Sequence, residues 1–105
     1  MLSKKRFNKI PTEAGVYELS LSSKIDYLNH KSNVIYIGSS NNLRRRIANY
    51  SSNKLRNVCL MKFIINNDIF LRLCLTENYI LLEKKLLKKF KCNYGELPKA
   101  NSLGA

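Results

Sequence analysis

Asn33-Val34-Ile35-Tyr36-Ile37-Gly38-Ser39-Ser40-Asn41-Asn42-Leu43-Arg44-Arg45-Arg46-Ile47-Ala48-Asn49-Tyr50 is the stretch on which the fold turns. Its opening, Asn33 to Gly38, is rich in β-branched and aromatic side chains and reads as a short strand. Ser39 to Asn42 supplies turn and N-cap chemistry. From Leu43 the period changes. Leu43, Ile47 and Tyr50 fall on one stripe of a short helix spanning Leu43 to Tyr50. Arg46 follows Leu43 by three residues and precedes Tyr50 by four, so it lies beside that stripe. Arg44 and Arg45 face more outward.

Upstream, Ala14 to Leu21 alternates from Val16 onward and predicts another strand. Ser22 to Ser32 is polar and reads as a loop or hairpin extension. Strands joined by one such connection are expected to be antiparallel. Downstream, Ser51 to Asn53 breaks the pattern, and Lys54 to Ile65 carries apolar residues at helical spacing. Asn66 to Asp68 is a turn, Ile69 to Leu75 a third strand, and Thr76 a cap for a helix reaching Phe90. Met1 to Thr12 reads as a basic lead-in and Lys91 to Ala105 as an irregular tail. The expectation is a single domain over 1–105 with the order β-β-α-α-β-α. Its class is α+β, a small three-stranded antiparallel sheet flanked by helices.

Lys and Arg number 19 against 7 Asp and Glu, a formal charge of +12. Such an excess favours a polyanionic partner, chiefly DNA or RNA. Hydrophobic residues make up 45% of the chain, enough for one modest core and too many for a disordered tail. No apolar run approaches the length needed to span a bilayer, and no secretory signal follows the basic N-terminus. A cytoplasmic or nucleoid-associated, non-secreted protein is expected, without a membrane partner. Cys59, Cys74 and Cys92 are too scattered for a disulfide framework or a Cys-x-x-Cys site. His30 is the only histidine, which argues against a histidine zinc site or a Ser-His-Asp triad.

Glu83 is the odd residue of the last helix. Its neighbours three and four positions away are Tyr79, Ile80, Leu86 and Leu87. A carboxylate aimed into apolar surface needs a compensating cation. The ordinary alternative is a structural salt bridge to an arginine or lysine; a metal or catalytic role is the other reading.

Gly15-Val16-Tyr17 on one strand, Tyr36-Ile37-Gly38 on the next, then Arg46, Tyr50 and Glu83 in this order resemble the GIY-YIG nuclease family. Asn42-Leu43-Arg44-Arg45-Arg46 after Tyr-Ile-Gly-Ser-Ser is the most specific phrase, with Leu82-Glu83 before Leu86-Leu87-Lys88-Lys89-Phe90-Lys91. The resemblance runs from about Gly15 to Asn101. It implies a metal-dependent endonuclease that hydrolyses DNA. Tyr17 would act as general base, Arg46 would grip the scissile phosphate, and Glu83 would bind a divalent metal, Mg²⁺ or Mn²⁺. Nearby cations, the metal and Arg46, would favour the Tyr17 phenolate. Tyr36 and Tyr50 would orient water or phosphate. Each tyrosine has an ordinary reading as a packed ring with a satisfied hydroxyl.

The family also places an asparagine after the glutamate helix. Cys92-Asn93-Tyr94-Gly95 resembles one common ending, but Gly95 stands where Asn is expected. Gly95-Glu96-Leu97-Pro98-Lys99-Ala100-Asn101 resembles a variant ending, and Asn101 is the preferred candidate. Two further departures stand out. The connection between Tyr17 and Tyr36 is longer than usual in the family, with the excess assigned to a loop around Lys24–Asn33 that could contact DNA or a partner. Ser39 occupies a place where some members carry lysine. Arg44, Arg45, Arg46, Lys54 and Arg56, together with the lysines of 84–91, are candidates for neutralising phosphates. No recognition helix is visible, so sequence specificity would come from loops or another subunit, or be absent; a homodimer or a separate DNA-targeting subunit is the protein partner expected. The competing readings are a catalytically inactive nucleic-acid-binding module of the same fold and an interaction protein docking on an acidic partner.

Overall fold

The computed structural model describes residues 9–51 and 57–103 of the chain. Strands β1 (Gly15–Asp26), β2 (Lys31–Ser40) and β3 (Phe70–Leu75) form one antiparallel sheet in the order β2-β1-β3. The helices among the described residues are α1 (Leu43–Ala48), α2 (Val58–Asn66), α3 (Tyr79–Tyr94) and α4 (Lys99–Leu103). A 3-10 turn, Asn49–Ser51, continues α1. The α+β expectation and the antiparallel sheet hold.

The central strand β1 is covered on both faces, while β3 at the edge is largely exposed. This is why β1 is buried from Gly15 to Leu21 at every position but the half-buried Glu18. Tyr17, Leu19 and Leu21 pack on one side with Leu43 and Ile47 of α1, Leu60 of α2 and Ala100 of α4. Val16 packs on the other with Ile37 and Phe90, joined by Leu82, Leu86 and Leu87 of α3. Fully burying one such aliphatic side chain stabilises the fold by about 1.5–3 kcal/mol.

The alternation is interrupted once in a way that matters. Leu19 pairs with Tyr36 but Ser20 pairs with Val34, so Ile35 is an extra residue in β2. The bulge lets Ile35 and Tyr36, neighbours in the chain, reach the same core cluster, while Ile37 goes to the opposite one.

Three expectations need correction. The second helix starts later than Lys54: Asn57 caps α2 by accepting from Leu60 N at 2.9 Å. Residues 54–56, with Lys54 and Arg56, lie outside the described residues, as do residues 1–8 of the lead-in. The glutamate helix is capped at Asn78 rather than Thr76, whose hydroxyl instead accepts from Asn78 N at 3.1 Å. The tail is not irregular. Helix α3 runs on to Tyr94, and Lys99–Leu103 forms α4, tied back by Asn57 Nδ2 donating to Ala100 O at 2.8 Å.

The long β1–β2 connection is a genuine hairpin extension, and its exposed tip is tied to the end of α3. Asn29 N donates to Tyr94 O at 3.1 Å, and Leu28 N to Glu96 Oε2 at 2.9 Å. Tyr27 stacks edge-on against Phe90 with ring centroids 5.1 Å apart, and its hydroxyl accepts from Lys99 N at 3.0 Å. Gly95 ends α3 in the left-handed region, with φ 79°. A Cβ there would come within 3.0 Å of Leu28 Cβ and Asn29 Nδ2. The extended hairpin and the glycine at 95 therefore belong together: one fills the space the other leaves.

Candidate active site

Tyr17 is the centre of the site. It faces Gly38 across the β1–β2 ladder and is 1% exposed. Its ring crosses the Gly38 backbone so closely that a Cβ at 38 would lie 2.6 Å from Tyr17 Cζ and Oη and 2.8 Å from Tyr36 Cε2. The glycine ending Tyr36-Ile37-Gly38 is thus required by close approach rather than by an unusual backbone angle, since Gly95 alone among the described glycines has positive φ. The Tyr36 ring lies beside Tyr17 with centroids 6.0 Å apart.

Helix α1 brings the other partners. Asn42 caps it, accepting from Arg45 N at 3.1 Å, and the fully buried Leu43 and Ile47 anchor it on the sheet. That seating places Tyr50, in the following 3-10 turn, with its hydroxyl 2.5 Å from the Tyr17 hydroxyl. It also lets Arg46 Nε donate to Tyr17 Oη at 3.4 Å, although the residue as a whole is exposed. Tyr17, Tyr36, Arg46 and Tyr50 therefore meet, although Tyr17 and Tyr50 are 33 positions apart. Arg44 is turned inward instead of outward, its Nε donating to Ile10 O at 2.7 Å and fastening the lead-in to α1. Arg45 is exposed and donates to Asn41 Oδ1.

Burial dominates the acidity of the tyrosines. It pushes the Tyr17 hydroxyl up to about 12, and the neighbouring Tyr36 pushes in the same direction. Hydrogen bonds from Tyr50 and Arg46, and the Arg46 charge, pull it back down without winning. The expectation that nearby cations favour the phenolate is met by Arg46 in direction only. Tyr50 is raised as well, again by burial first and by Tyr17 second.

Glu83 sits on α3 and is half-buried. Tyr79, Leu86 and Leu87 pack around its face of the helix as expected, but Ile80 is 59% exposed and does not. The ion pairs among the described residues are Lys31–Asp26, Arg72–Glu18 and Lys99–Glu96, so none of them compensates Glu83. The carboxylate is met instead by Ser39, whose hydroxyl donates to Oε1 at 2.5 Å. Ser39 follows Gly38 directly, which ties the carboxylate to the strand that pairs with Tyr17. Sequence reasoning misses Ser39 as a site residue; the only signal is its place directly after Tyr36-Ile37-Gly38.

Asn101 is engaged with the backbone of β2. Its Oδ1 accepts from Ile37 N at 3.0 Å and its Nδ2 donates to Ile37 O at 2.9 Å. The amide pairs with the open edge of β2 as another strand would, midway between Tyr36 and Gly38. Gly95, the other candidate position, carries no side chain and caps α3. No group of three or more potential metal-binding side chains occurs among the described residues, which leaves Glu83 as a single carboxylate. No helix among them is long and apolar enough to cross a membrane.

Comparison with known proteins fits this geometry. The chain is 33% identical over 101 residues to the UvrABC system protein C of Rickettsia felis, covering 93% of this chain and 14% of that protein. It is 28% identical over 101 residues to its counterpart from Bacteroides fragilis, covering 88% and 14%. The chain thus spans only a small part of the curated relatives it matches. The magnesium-bound GIY-YIG N-terminal endonuclease domain of UvrC from Thermotoga maritima superposes with a TM-score of 0.64 at 26% identity, covering 96% of this chain and 99% of that one. A tyrosine-to-phenylalanine variant of that domain, bound to its catalytic divalent cation, gives a TM-score of 0.61. The family model of the UvrC-like GIY-YIG domain matches residues 13–95, most of the chain, and the chain belongs to that family.

Proposed function

We propose that this chain is a metal-dependent endonuclease that hydrolyses DNA phosphodiester bonds. The observation that carries the reading is the Tyr17–Tyr50–Arg46 cluster over Gly38, whose next residue, Ser39, holds Glu83. The endonuclease name and bound magnesium of the Thermotoga maritima domain support it.

Tyr17 would take the proton from the attacking water. A phenolate at that position accepts from two donors already in place, Arg46 Nε and the Tyr50 hydroxyl. Arg46, an exposed residue, would direct its remaining N–H groups at phosphate oxygens and offset the charge that builds there. Glu83 would hold Mg²⁺ or Mn²⁺ through the oxygen that Ser39 does not engage. A half-buried carboxylate without a protein cation among the described residues fits such an ion, whose other positions are commonly filled by water and phosphate oxygens. When bound, the ion supplies Lewis-acid stabilisation of the phosphate. Asn101 would act through the backbone, keeping the Tyr36–Gly38 edge in register.

The test is cleavage of plasmid and branched DNA with Mg²⁺ or Mn²⁺ by the wild type and Arg46→Ala. Removing a preorganised charge partner of this kind typically costs about 10²–10³ in rate. Equal cutting by the two proteins would remove the catalytic claim. The general-base role makes a further prediction. Because Tyr17 is held up near 12, the phenolate fraction grows with pH across the neutral range. The logarithm of the single-turnover rate should rise by about one per pH unit between roughly pH 6 and 9. Tyr17→Phe should lose both rate and slope; an unchanged slope would move the base elsewhere.

DNA association should be strongly salt-dependent. Lys84, Lys85, Lys88 and Lys89 are exposed on α3, and Arg45 is exposed on α1. Replacing any one of them that pairs with a DNA phosphate by alanine should make the slope of log K against log salt shallower by about 0.9. Fluorescence anisotropy in the Glu83→Gln background, which holds the DNA uncut, reads this directly. An unchanged slope excludes the residue from the interface. The second reading, a binding module without activity, draws on Gly95 standing where the family's asparagine is expected. It predicts the same salt slope with no cleavage in any metal.

A further inference from the structure

The hydrogen bond between Ser39 and Glu83 joins β2 to α3 across 44 positions of sequence. A hydroxyl donating to a carboxylate makes a charge-assisted hydrogen bond, roughly twice as strong as one between neutral groups. A serine hydroxyl has one proton to give. It occupies Oε1 and leaves the formal charge of Glu83 intact, in contrast to a lysine or arginine, which would neutralise it. We propose that Ser39 is a positioning residue that fixes the Glu83 carboxylate so that Oε2 is presented to a divalent cation; this rests on Glu83 being the metal ligand.

The placement of the donor supports this. Ser39 is paired to Val16 in the β1–β2 ladder, so its backbone is held by the sheet. Its neighbour Gly38 lies under the Tyr17 ring. Ile37 is clamped at both its N–H and its carbonyl by Asn101. The hydroxyl therefore projects from a braced part of β2 onto a long, otherwise adjustable side chain. A free glutamate would have to surrender its rotamer freedom when it binds an ion. With Ser39 in place that ordering is already present, and the two halves of the site, the tyrosines of the sheet and the acid of α3, are set in one register. Removing a partner that orients a metal ligand typically weakens affinity about 10- to 100-fold.

Calorimetric titration of Mn²⁺ into the full chain tests the proposal. Ser39→Ala should weaken Mn²⁺ binding about 10-fold or more, while Ser39→Thr, which retains the hydroxyl, stays within about 3-fold of wild type. In cleavage assays the half-saturating Mn²⁺ concentration of Ser39→Ala should rise in parallel, with the rate at saturating metal largely recovered. Wild-type Mn²⁺ affinity in Ser39→Ala overturns the proposal. Should alanine disturb folding, Ser39→Thr decides: near-wild-type affinity supports the role, and a loss as large as in alanine overturns it. Glu83→Ala separates the two levels. If that protein binds Mn²⁺ as the wild type does, the assignment of Glu83 as ligand fails, and the role of Ser39 fails with it. If Glu83→Ala loses binding but Ser39→Ala does not, only the role of Ser39 fails.

Discussion

Glu83→Ala is expected to reduce Mg²⁺- or Mn²⁺-dependent DNA cleavage by about 10³-fold or more, the scale of several kcal/mol of charge stabilisation removed from the phosphate. The protein should stay folded. Glu83 is half-buried and enters none of the ion pairs among the described residues, so its removal strands no buried cation. The Ser39 hydroxyl, half-buried itself, can turn to water. Plasmid nicking with circular dichroism as a control on folding checks both halves. Chelation of the metal should have the same effect on the wild type. A folded Glu83→Ala that still cuts would exclude the carboxylate from the chemistry, whereas an unfolded one would make it a structural residue.

Gly38→Ala should damage stability and activity together. The added Cβ would sit 2.6 Å from Tyr17 Cζ and Oη and 2.8 Å from Tyr36 Cε2, far inside van der Waals contact. Neither ring can yield freely. Tyr17 is 1% exposed and bonded to Tyr50 and Arg46, and Tyr36 leans on the same core. Overpacking of this kind costs about 1–3 kcal/mol. Displacement of the Tyr17 hydroxyl by about an ångström should lower the cleavage rate of the folded fraction about 10²-fold. Urea unfolding gives the first quantity and initial rates corrected for folded fraction give the second. Wild-type rates in Gly38→Ala would mean that the position of the Tyr17 hydroxyl is not critical.

Much of this arrangement is legible in local pattern. The change of period at Leu43 locates α1, and the offset of Arg46 from Leu43 and Tyr50 predicts that it lies beside the buried stripe. Its Nε does reach Tyr17. The apolar setting of Glu83 is likewise partly visible from helical spacing. Spacing fails at Ile80, which the same rule places with Leu86 and Leu87, because α3 rests chiefly on β2 and leaves Ile80 exposed. It fails at Ile35 too, where a bulge changes which face a residue meets.

The sequence by itself determined the α+β class, the order of the strands along the chain, and the set of tyrosines, arginine and glutamate available for chemistry. The class and the strand order follow from periodicity and turn residues, which are local, and the set of candidate residues follows from the resemblance to the GIY-YIG family. Only the tertiary structure decided that Asn101 braces the β2 edge, that the long hairpin seals the end of α3 over Gly95, that Ser39 holds Glu83, and that burial outweighs Arg46 at Tyr17. Each of these depends on which distant surfaces meet. Desolvation and hydrogen-bond partners are properties of the packed environment and not of the residues that enter it.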